Sequence, residues 1–550
     1  MTRAAAPESW RRATGGSTAL ATLAALGAAV VSTAACHKDA ENVRATPVPA
    51  ASADAGGGGG GVRTCVVGDA PARTLSDAMT PQATIAAMQA VADWQLANPA
   101  TRWQTTEWTY APFWIGLSKL ASIAADRKYH LAIRASAEAD QWKPAPRQWH
   151  ADDQAVIARY FYLYSVERER TMIEPSLARL DETVKRKFDE SLQWDEVVGP
   201  DGRGTGKTAA GTPAIMHREW AWCDALFMAP PAMAAATANT GDMKYLARAN
   251  ELWWKTTDYL YDKGAHLYYR DSRFFTRREP NGKNVFWSRG NGWVIAGTAR
   301  MLQDMPEAFP DRGKYLALFR EMAAALAPLQ GSDGFWRASL LDPDSVPKPE
   351  SSGTAFFTYA LAWGINQGLL ERATFEPVVR KGWTALTGAV SNGKLGWVQP
   401  VGYKPGDTCW DRTEVYGAGA FLLAGSEIYR SALLAGLAPL TRAVRNPSSA
   451  MRFDDVVEVA LRPEEVKAAA RGEALVVVDG RSGEFLASEL KPGARDRLLV
   501  LIGDVYPAEE RPIHVYRSPT APGLAAAKER VARAGAAHGG RPATLVVKVR

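Results

Sequence analysis

The sequence predicts an all-α main domain, an α/α barrel of paired helices, followed by a small C-terminal β-rich domain. Three features point to it. From Leu75 to about Ala443 apolar residues recur at helical spacing, as Ile85, Met88, Ala92 and Leu96 do, and strand signals are scarce. Four segments share one texture, aromatic or acidic residues in a loop and then a small-residue-rich apolar helix: Trp222 to Ala236, Trp287 to Leu302, Ser351 to Gly364 and Glu414 to Ile428. Their starts lie about 64 residues apart, as helix pairs repeating around a ring would produce. From about Arg445 the texture changes to short β-rich runs, Leu475 to Val478, Leu498 to Ile502, Ile513 to Tyr516 and Leu545 to Val549, separated by Gly, Pro and Asp. An open α-solenoid is the alternative, although solenoids repeat a shorter and more regular unit.

Taken in order, residues 1–36 have the character of a lipoprotein signal peptide. Arg11 and Arg12 precede an Ala/Leu-rich stretch from Ala19 to Val31, and Ser32-Thr33-Ala34-Ala35 lead into Cys36. Small residues directly before Cys36 resemble a bacterial lipobox, with cleavage before that cysteine and a lipid on its side chain. A transmembrane helix is the alternative, for which the apolar stretch is short and Ala-rich. Residues 37–74 are rich in Ala, Pro and Ser and include the run Gly56 to Gly61, which cannot pack and forms a flexible linker. The barrel is expected over 75–443. Within it, Gly241 can end one helix and Asp242 can cap the next, which runs through Tyr245, Leu246, Trp253 and Trp254. Residues 444–550 form the β-rich accessory domain.

Composition narrows the function. Nineteen Trp in 550 residues is far above ordinary usage, and wide indole faces both fill helical cores and stack on sugar rings. The net charge of +6 is spread along the chain with no dense basic run, so nucleic acid is not an expected partner, whereas an acidic ligand is compatible. After cleavage Cys65, Cys223 and Cys409 remain, an odd number without metal spacing, so neither a disulfide framework nor a zinc site is expected. His150 and His217 each lie near an Asp but lack a third ligand at helical spacing. No metal or other cofactor is expected.

With no phosphate loop and no nucleophile elbow, the candidates for chemistry are carboxylates among aromatics. Asp152 and Asp153, after His150, precede a helix carrying Tyr160, Phe161 and Tyr164, and either acid could cap it. Asp224 is a single acid inside Trp220-Ala221-Trp222-Cys223-Asp224-Ala225-Leu226-Phe227-Met228. Desolvation there would raise its pKa toward neutrality and suit it to general acid work, unless backbone donors or Arg218 satisfy it. In Trp287-Ser288-Arg289-Gly290-Asn291-Gly292-Trp293 two indoles flank an arginine that could clamp a carboxylate or be purely structural. Trp103, Trp108, Tyr110, Phe113 and Trp114 form a further aromatic patch.

Together, the stretch from Trp222 to Pro231, Tyr269-Arg270-Asp271-Ser272-Arg273, the stretch from Trp287 to Trp293, Ser352-Gly353-Thr354-Ala355, the stretch from Leu395 to Pro400 and Glu414-Val415-Tyr416-Gly417 resemble glycoside hydrolase family 105 in order over roughly Leu75 to Ala443. The neighbouring family 88, which acts on unsaturated glucuronyl units, is similar in fold. The resemblance implies an (α/α)6 barrel and hydration of the C4–C5 double bond that polysaccharide lyases leave on a terminal uronate. An Asp protonates C4 and then takes a proton from the water attacking C5, and the hemiketal opens to release the aglycone. By motif that Asp is Asp224, and a second acid falls on the Asp152-Asp153 pair, with Asp153 the expected one. Asp152, His150, Trp108, Trp222, Arg270, Trp287, Arg289 and Trp293 are the expected substrate contacts. Some members carry a His where this chain has Arg270 and an Asn where it has Tyr110, so the subsite for the second sugar is expected to differ.

The function expected is removal of terminal Δ4,5-unsaturated galacturonic acid from rhamnogalacturonan oligosaccharides by an exported enzyme, touching the cell envelope only through its lipid anchor. The alternatives are an unsaturated glucuronyl hydrolase on ulvan or glycosaminoglycan products, a non-catalytic glycan-binding lipoprotein, and an inverting glycosidase, which needs two carboxylates spaced across a water.

Overall fold

The computed structural model of the chain describes residues 73–199, 204–526, 530 and 545–549. The expected signal peptide, Cys36, Cys65 and nearly all of the linker lie outside the described residues.

The main domain is an α/α barrel. Its inner ring is made by α2 (Ala111–Ile123), α5 (Ile157–Glu167), α7 (Ala225–Thr240), α9 (Ser288–Asp304), α11 (Ser351–Asn366) and α13 (Val415–Leu434). Each packs against the next, and α13 returns to α2 to close the ring. Between them run the outer helices α1 (Pro81–Ala97), α3 (Lys128–Ala139), α6 (Glu174–Lys185), α8 (Met243–Leu260), α10 (Arg312–Leu326) and α12 (Arg372–Gly388), while the one-turn α4 (Ala151–Gln154) leads into α5. Inner and outer helices alternate along the chain, so the inner six run parallel and their N-termini gather at one end. The four segments with the repeating texture are α7, α9, α11 and α13, each starting within three residues of the expected position.

Inner and outer helices differ because their surroundings differ. Residues Ser351 to Ile365 of α11 are all buried, whereas α8 buries one stripe that includes Tyr245, Leu246, Trp253 and Leu260. Small residues let the inner helices touch: a Cβ on Gly116 would lie 2.3 Å from the Gly419 carbonyl oxygen, and one on Gly419 would lie 2.3 Å from that of Pro112. Helix α7 contains Pro230 and Pro231, and Pro231 cannot donate to the carbonyl of Phe227. The buried Arg300 supplies the missing bond, Nη1 donating to Phe227 O at 2.8 Å.

Short hairpins β1 (Tyr261–Asp262) with β2 (Leu267–Tyr268) and β3 (Val390–Ser391) with β4 (Lys394–Leu395) sit in loops of the barrel. The accessory domain starts with β5 (Leu440–Arg445) and continues through β6 (Arg452–Ala460), α14 (Pro463–Ala470), β7 (Ala474–Asp479), β8 (Phe485–Leu486), β9 (Ser488–Leu490), β10 (Arg497–Val505), β11 (Glu510–Ser518) and β12 (Val546–Val549). Two antiparallel sheets, ordered β12-β5-β11-β7-β8 and β6-β10-β9, face each other across Val444, Val477, Ile513 and Val515 on one side and Val457, Val459, Val500 and Ile502 on the other. This sandwich is docked on the C-terminal ends of the inner helices. Arg430 Nη1 donates to Gly483 O at 3.0 Å, Gln367 Nε2 to Arg481 O at 2.8 Å, Tyr506 Oη to Asp304 O at 3.0 Å, and Lys119 pairs with Glu484. The sandwich thus covers one end of the barrel, and the N-terminal end of the inner ring faces away from it.

Two sequence expectations change here. The expectation of no disulfide is corrected, because Cys409 is disulfide-bonded while Cys223 is a free, buried thiol. Strands β5 and β6 were not expected: β5 directly follows a helix, and a lone αL residue, Asp454 with φ 52°, interrupts the alternation of β6. Among the described residues no helix is long and apolar enough to cross a membrane, and no group of His, Cys, Asp and Glu could hold a metal ion.

Gly419→Ala should cost about 1–3 kcal/mol, because the α2–α13 contact must open to admit a methyl group. A thermal melt should show a clearly lowered Tm; an unchanged Tm would mean that this approach is not tight.

Candidate active site

Five of the six inner helices present a polar or aromatic side chain at their N-terminal boundary, and the one-turn α4 that leads into the sixth, α5, does the same. Tyr110 precedes α2, His150 caps α4, and Asp224, Trp287, Glu350 and Glu414 stand at the N-cap positions of α7, α9, α11 and α13. Helix N-termini expose unpaired N–H groups and partial positive charge, so their convergence favours a negatively charged ligand. Glu350 spends its carboxylate on this task. It accepts from Ser352 N at 2.9 Å, Ser352 Oγ at 2.6 Å, Gly353 N at 2.7 Å and Gln399 N at 3.2 Å, which fixes the loop that follows β4 against α11.

Asp224 behaves differently. It makes no side-chain cap bond, is 8% exposed, and lies against Cys223, whose Sγ is 3.6 Å from Oδ2. Arg270 Nε stands 3.3 Å from the same oxygen, without the alignment of a hydrogen bond. Burial pushes the Asp224 carboxyl above the ordinary carboxylate range; Arg270, and more weakly Arg289, pull it back but do not win. Arg270 is held from behind. Its Nη1 donates to Asp271 Oδ2 at 2.8 Å, its guanidinium lies 5.0 Å over Trp194, and Arg273 binds Asp271 through Nε and Nη2, both at 2.8 Å. Burial opposes ionisation of Asp271, but the bonds from Arg273 and Arg270 hold its carboxyl below the ordinary range, so it remains an anion.

The neighbouring acids separate cleanly. Asp153 is buried and engaged by Arg147, whose backbone N–H donates to Oδ2 at 2.6 Å and whose Nε donates to Oδ1 at 2.8 Å. Asp152 instead has a buried Oδ1 without a hydrogen-bond partner, and its Oδ2 lies 3.7 Å from His150 Nδ1. Burial pushes the Asp152 carboxyl up to about 7, with Asp153 and Asp224 adding to the rise and Arg147 opposing it. It is Asp152, therefore, that shares the electrostatic field of Asp224 and Arg270. His150 is packed 4.9 Å from the Trp222 ring and 5.3 Å from His217, and burial and then Arg147 hold its pKa well below the ordinary value, so it is neutral at pH 7.

The remaining expected contacts are aromatic or cationic. Trp108 stacks on Tyr416 at 5.6 Å and meets Trp293 edge-on at 6.4 Å, and Trp293 is wholly buried between Phe227 and Phe356. Trp287 donates from Nε1 to Gln399 Oε1 at 2.9 Å. Arg289 departs from expectation: its Nη1 donates to Gln399 O at 2.8 Å and its Nη2 to Pro400 O at 2.9 Å, while its guanidinium stacks over Trp287 and Tyr416. Both Nη atoms are committed to main chain, so Arg289 braces the site wall. Arg147 and Trp194 were not singled out from the sequence, and Gln399 and Tyr416 lay in its motifs without an assigned role. Arg147 carries no local signal, because its partner Asp153 is fixed by the loop between them.

Residues 79–432 match Glycosyl Hydrolase Family 88. The chain belongs to that family. An unsaturated 3S-rhamnoglycuronyl hydrolase of Formosa agariphila is 39% identical over 345 residues, covering 62% of this chain and 88% of that protein. A second protein of the same name, from an Alteromonas species, is 37% identical over 356 residues, covering 62% of this chain and 84% of its own length. Among solved structures, a family 88 glycosyl hydrolase from Bacteroides vulgatus superposes with a TM-score of 0.55 at 28% identity, covering 64% of this chain and 99% of that one. The motifs that resembled family 105 and its neighbour thus fall in family 88, and the protein is a glycoside hydrolase.

The raised Asp152 carboxyl makes a stability prediction. A group whose folded pKa lies above its ordinary value supports the fold fully below that ordinary value and loses this support as pH rises through about 7. Asp152→Asn, which cannot ionise, should therefore gain Tm over the wild type at about pH 8 more than at about pH 4; an equal difference at both would remove the raised pKa.

Proposed function

We propose that this family 88 enzyme removes the terminal Δ4,5-unsaturated uronic acid from lyase-generated oligosaccharides in which that residue is joined to rhamnose, by hydrating the C4–C5 double bond. The single observation that carries the reading is Asp224, an acid kept toward its neutral form by burial yet placed beside a cation at a ring of helix N-termini. Protonating an enol ether needs an acid that keeps its proton to higher pH than an ordinary carboxyl and a positive surrounding for the uronate charge; burial moves Asp224 in the first direction and Arg270 supplies the second.

In the step proposed, the Asp224 proton goes to C4 and the C4–C5 π pair forms the new C–H bond, leaving an oxocarbenium at C5. Water adds to C5 and returns a proton to the Asp224 carboxylate. The hemiketal then opens, C5 becomes a ketone, and C1 expels the aglycone. One water is consumed and Asp224 ends as it began. Asp152, rather than Asp153, is the second acid of this reading: Asp153 is spent on Arg147, whereas Asp152 has an unpartnered oxygen and holds a proton near neutral pH. A carboxyl in that state can orient the incoming water or the C5 oxygen.

The rhamnose assignment is supported by the names of the two relatives and by the motif resemblance. Elimination makes C4 planar, so galacturonyl and glucuronyl ends become the same unit; the aglycone and its linkage are what remain to be read. Rhamnogalacturonan products are the pectin form of this substrate, and rhamnose-linked glucuronyl products are the second form. We further propose export on a lipid anchor at Cys36. The small residues before it support that reading, and so does the disulfide at Cys409, a bond that persists in oxidising compartments.

The conjugated double bond absorbs in the ultraviolet, so purified enzyme should erase that absorbance on rhamnogalacturonan or ulvan lyase products. Asp224→Asn should lower kcat by about 10²–10⁴-fold with the melt unchanged; near-normal turnover would take the proton-transfer role from Asp224, and tight binding without absorbance loss in the wild type would favour a capture protein. Cys36→Ser should move the protein from the membrane fraction to the soluble fraction, and retention at the membrane would contradict the anchor.

A further inference from the structure

We propose that Arg270 is shared in turn between Asp224 and the carboxylate of the bound uronate, so that substrate binding takes the cation from the acid at the moment its proton is needed. The inference rests on the unsaturated-uronyl reading above and adds a step to it.

The geometry of Arg270 is that of a movable cation on a fixed post. The post is Asp271, which is wholly buried and held by Arg273 through its backbone N–H at 3.0 Å and through Nε and Nη2. Arg270 grips it with Nη1 alone, at 2.8 Å. The guanidinium face rests on Trp194, which Arg273 covers at 4.2 Å, and the indole Nε1 of Trp194 is buried without a hydrogen-bond partner. Arg270 Nε is likewise buried and lacks a hydrogen-bond partner, although it lies 3.3 Å from Asp224 Oδ2. The contact with Asp224 is therefore one of charge, not of directed bonding. A planar carboxylate can offer this fork the aligned acceptor that Asp224 does not.

The other charges around Asp224 are more tightly held, although Arg289 Nε, like that of Arg270, is buried without a hydrogen-bond partner. Arg289 is committed to the carbonyls of Gln399 and Pro400, and Cys223 is a buried thiol whose pKa burial raises. Asp152 faces Arg147, Asp153, Asp224, Arg270 and the neutral His150, and Arg147 is occupied by Asp153. When the uronate pairs with Arg270, the field that favours the Asp224 anion is cancelled and an anion is added nearby. Both changes strengthen the hold of Asp224 on its proton.

The test is the pH dependence of the absorbance assay. The acid must be protonated, so activity falls as pH rises through its pKa; kcat/KM reports the free enzyme and kcat the complex. The fall in kcat should lie about one pH unit above the fall in kcat/KM. Arg270→Gln should raise KM by at least about tenfold and shift the fall in kcat/KM upward, whereas Arg270→Lys should keep it near the wild-type position. Coincident falls in the wild type would overturn the exchange while leaving the hydration reading intact, and so would an Arg270→Gln profile that stays in place. If the neutral variant does not fold, the wild-type comparison decides alone. No loss of absorbance with any unsaturated substrate would instead sink the hydration reading itself.

Discussion

The constraint on which this structure depends is the parallel alignment of the six inner helices. Alternation of inner and outer helices sends every inner N-terminus to one end, while the β-sandwich takes the opposite end, where the C-terminal carbonyls need donors. Tyr506 donates to the carbonyl of Asp304 at the end of α9, while Arg430, Gln367 and Lys119 reach from the helices to groups of the sandwich. The consequence for chemistry is a conflict at Asp224. A helix N-terminus and a nearby arginine both favour its anion, and removal from water favours its acid. Removal from water prevails, so the carboxyl is held above the ordinary carboxylate range in surroundings that still favour a negatively charged ligand.

The carboxylates at this end show how position within a few ångströms assigns different work to one residue type. Glu350 meets four donors and locks a loop. Asp153 and Asp271 accept from arginines and belong to the frame. Asp224 and Asp152 combine burial with few directed bonds, and burial raises both carboxyls above the ordinary range. In the proposed reaction the chemistry falls to the acids the fold leaves least satisfied, while the satisfied ones keep them in place.

Much of this was legible in the sequence. The spacing of about 64 residues between Trp222, Trp287, Ser351 and Glu414 located four of the six inner helices, because inner helices are apolar on all sides and begin in loops that face the site. Asp224 stood out for the same reason: an acid enclosed by indoles is desolvated whatever the surrounding topology. The distinction between Asp152 and Asp153 was not legible, since it is decided by Arg147 reaching back across a loop. Nor was the engagement of Arg289 by main chain. Arg289 lies in the more suggestive motif, yet the main-chain oxygens after Val398 capture it, and that depends on a contact 110 residues away. Strands β5 and β6 were hidden because β5 follows α13 without a polar break of any length and an αL residue interrupts β6.

The proposed chemistry turns on burial outweighing Arg270 at Asp224, so that its carboxyl lies above the ordinary range in the free enzyme. The most direct measurement is a titration of its side-chain carboxyl by carbon NMR on aspartate-labelled protein, with the resonance assigned by its loss in Asp224→Asn. A midpoint well above the ordinary carboxylate value of about 4 is the predicted result. A midpoint at or below that value would show that Arg270 and the helix terminus outweigh burial, and would contradict the account.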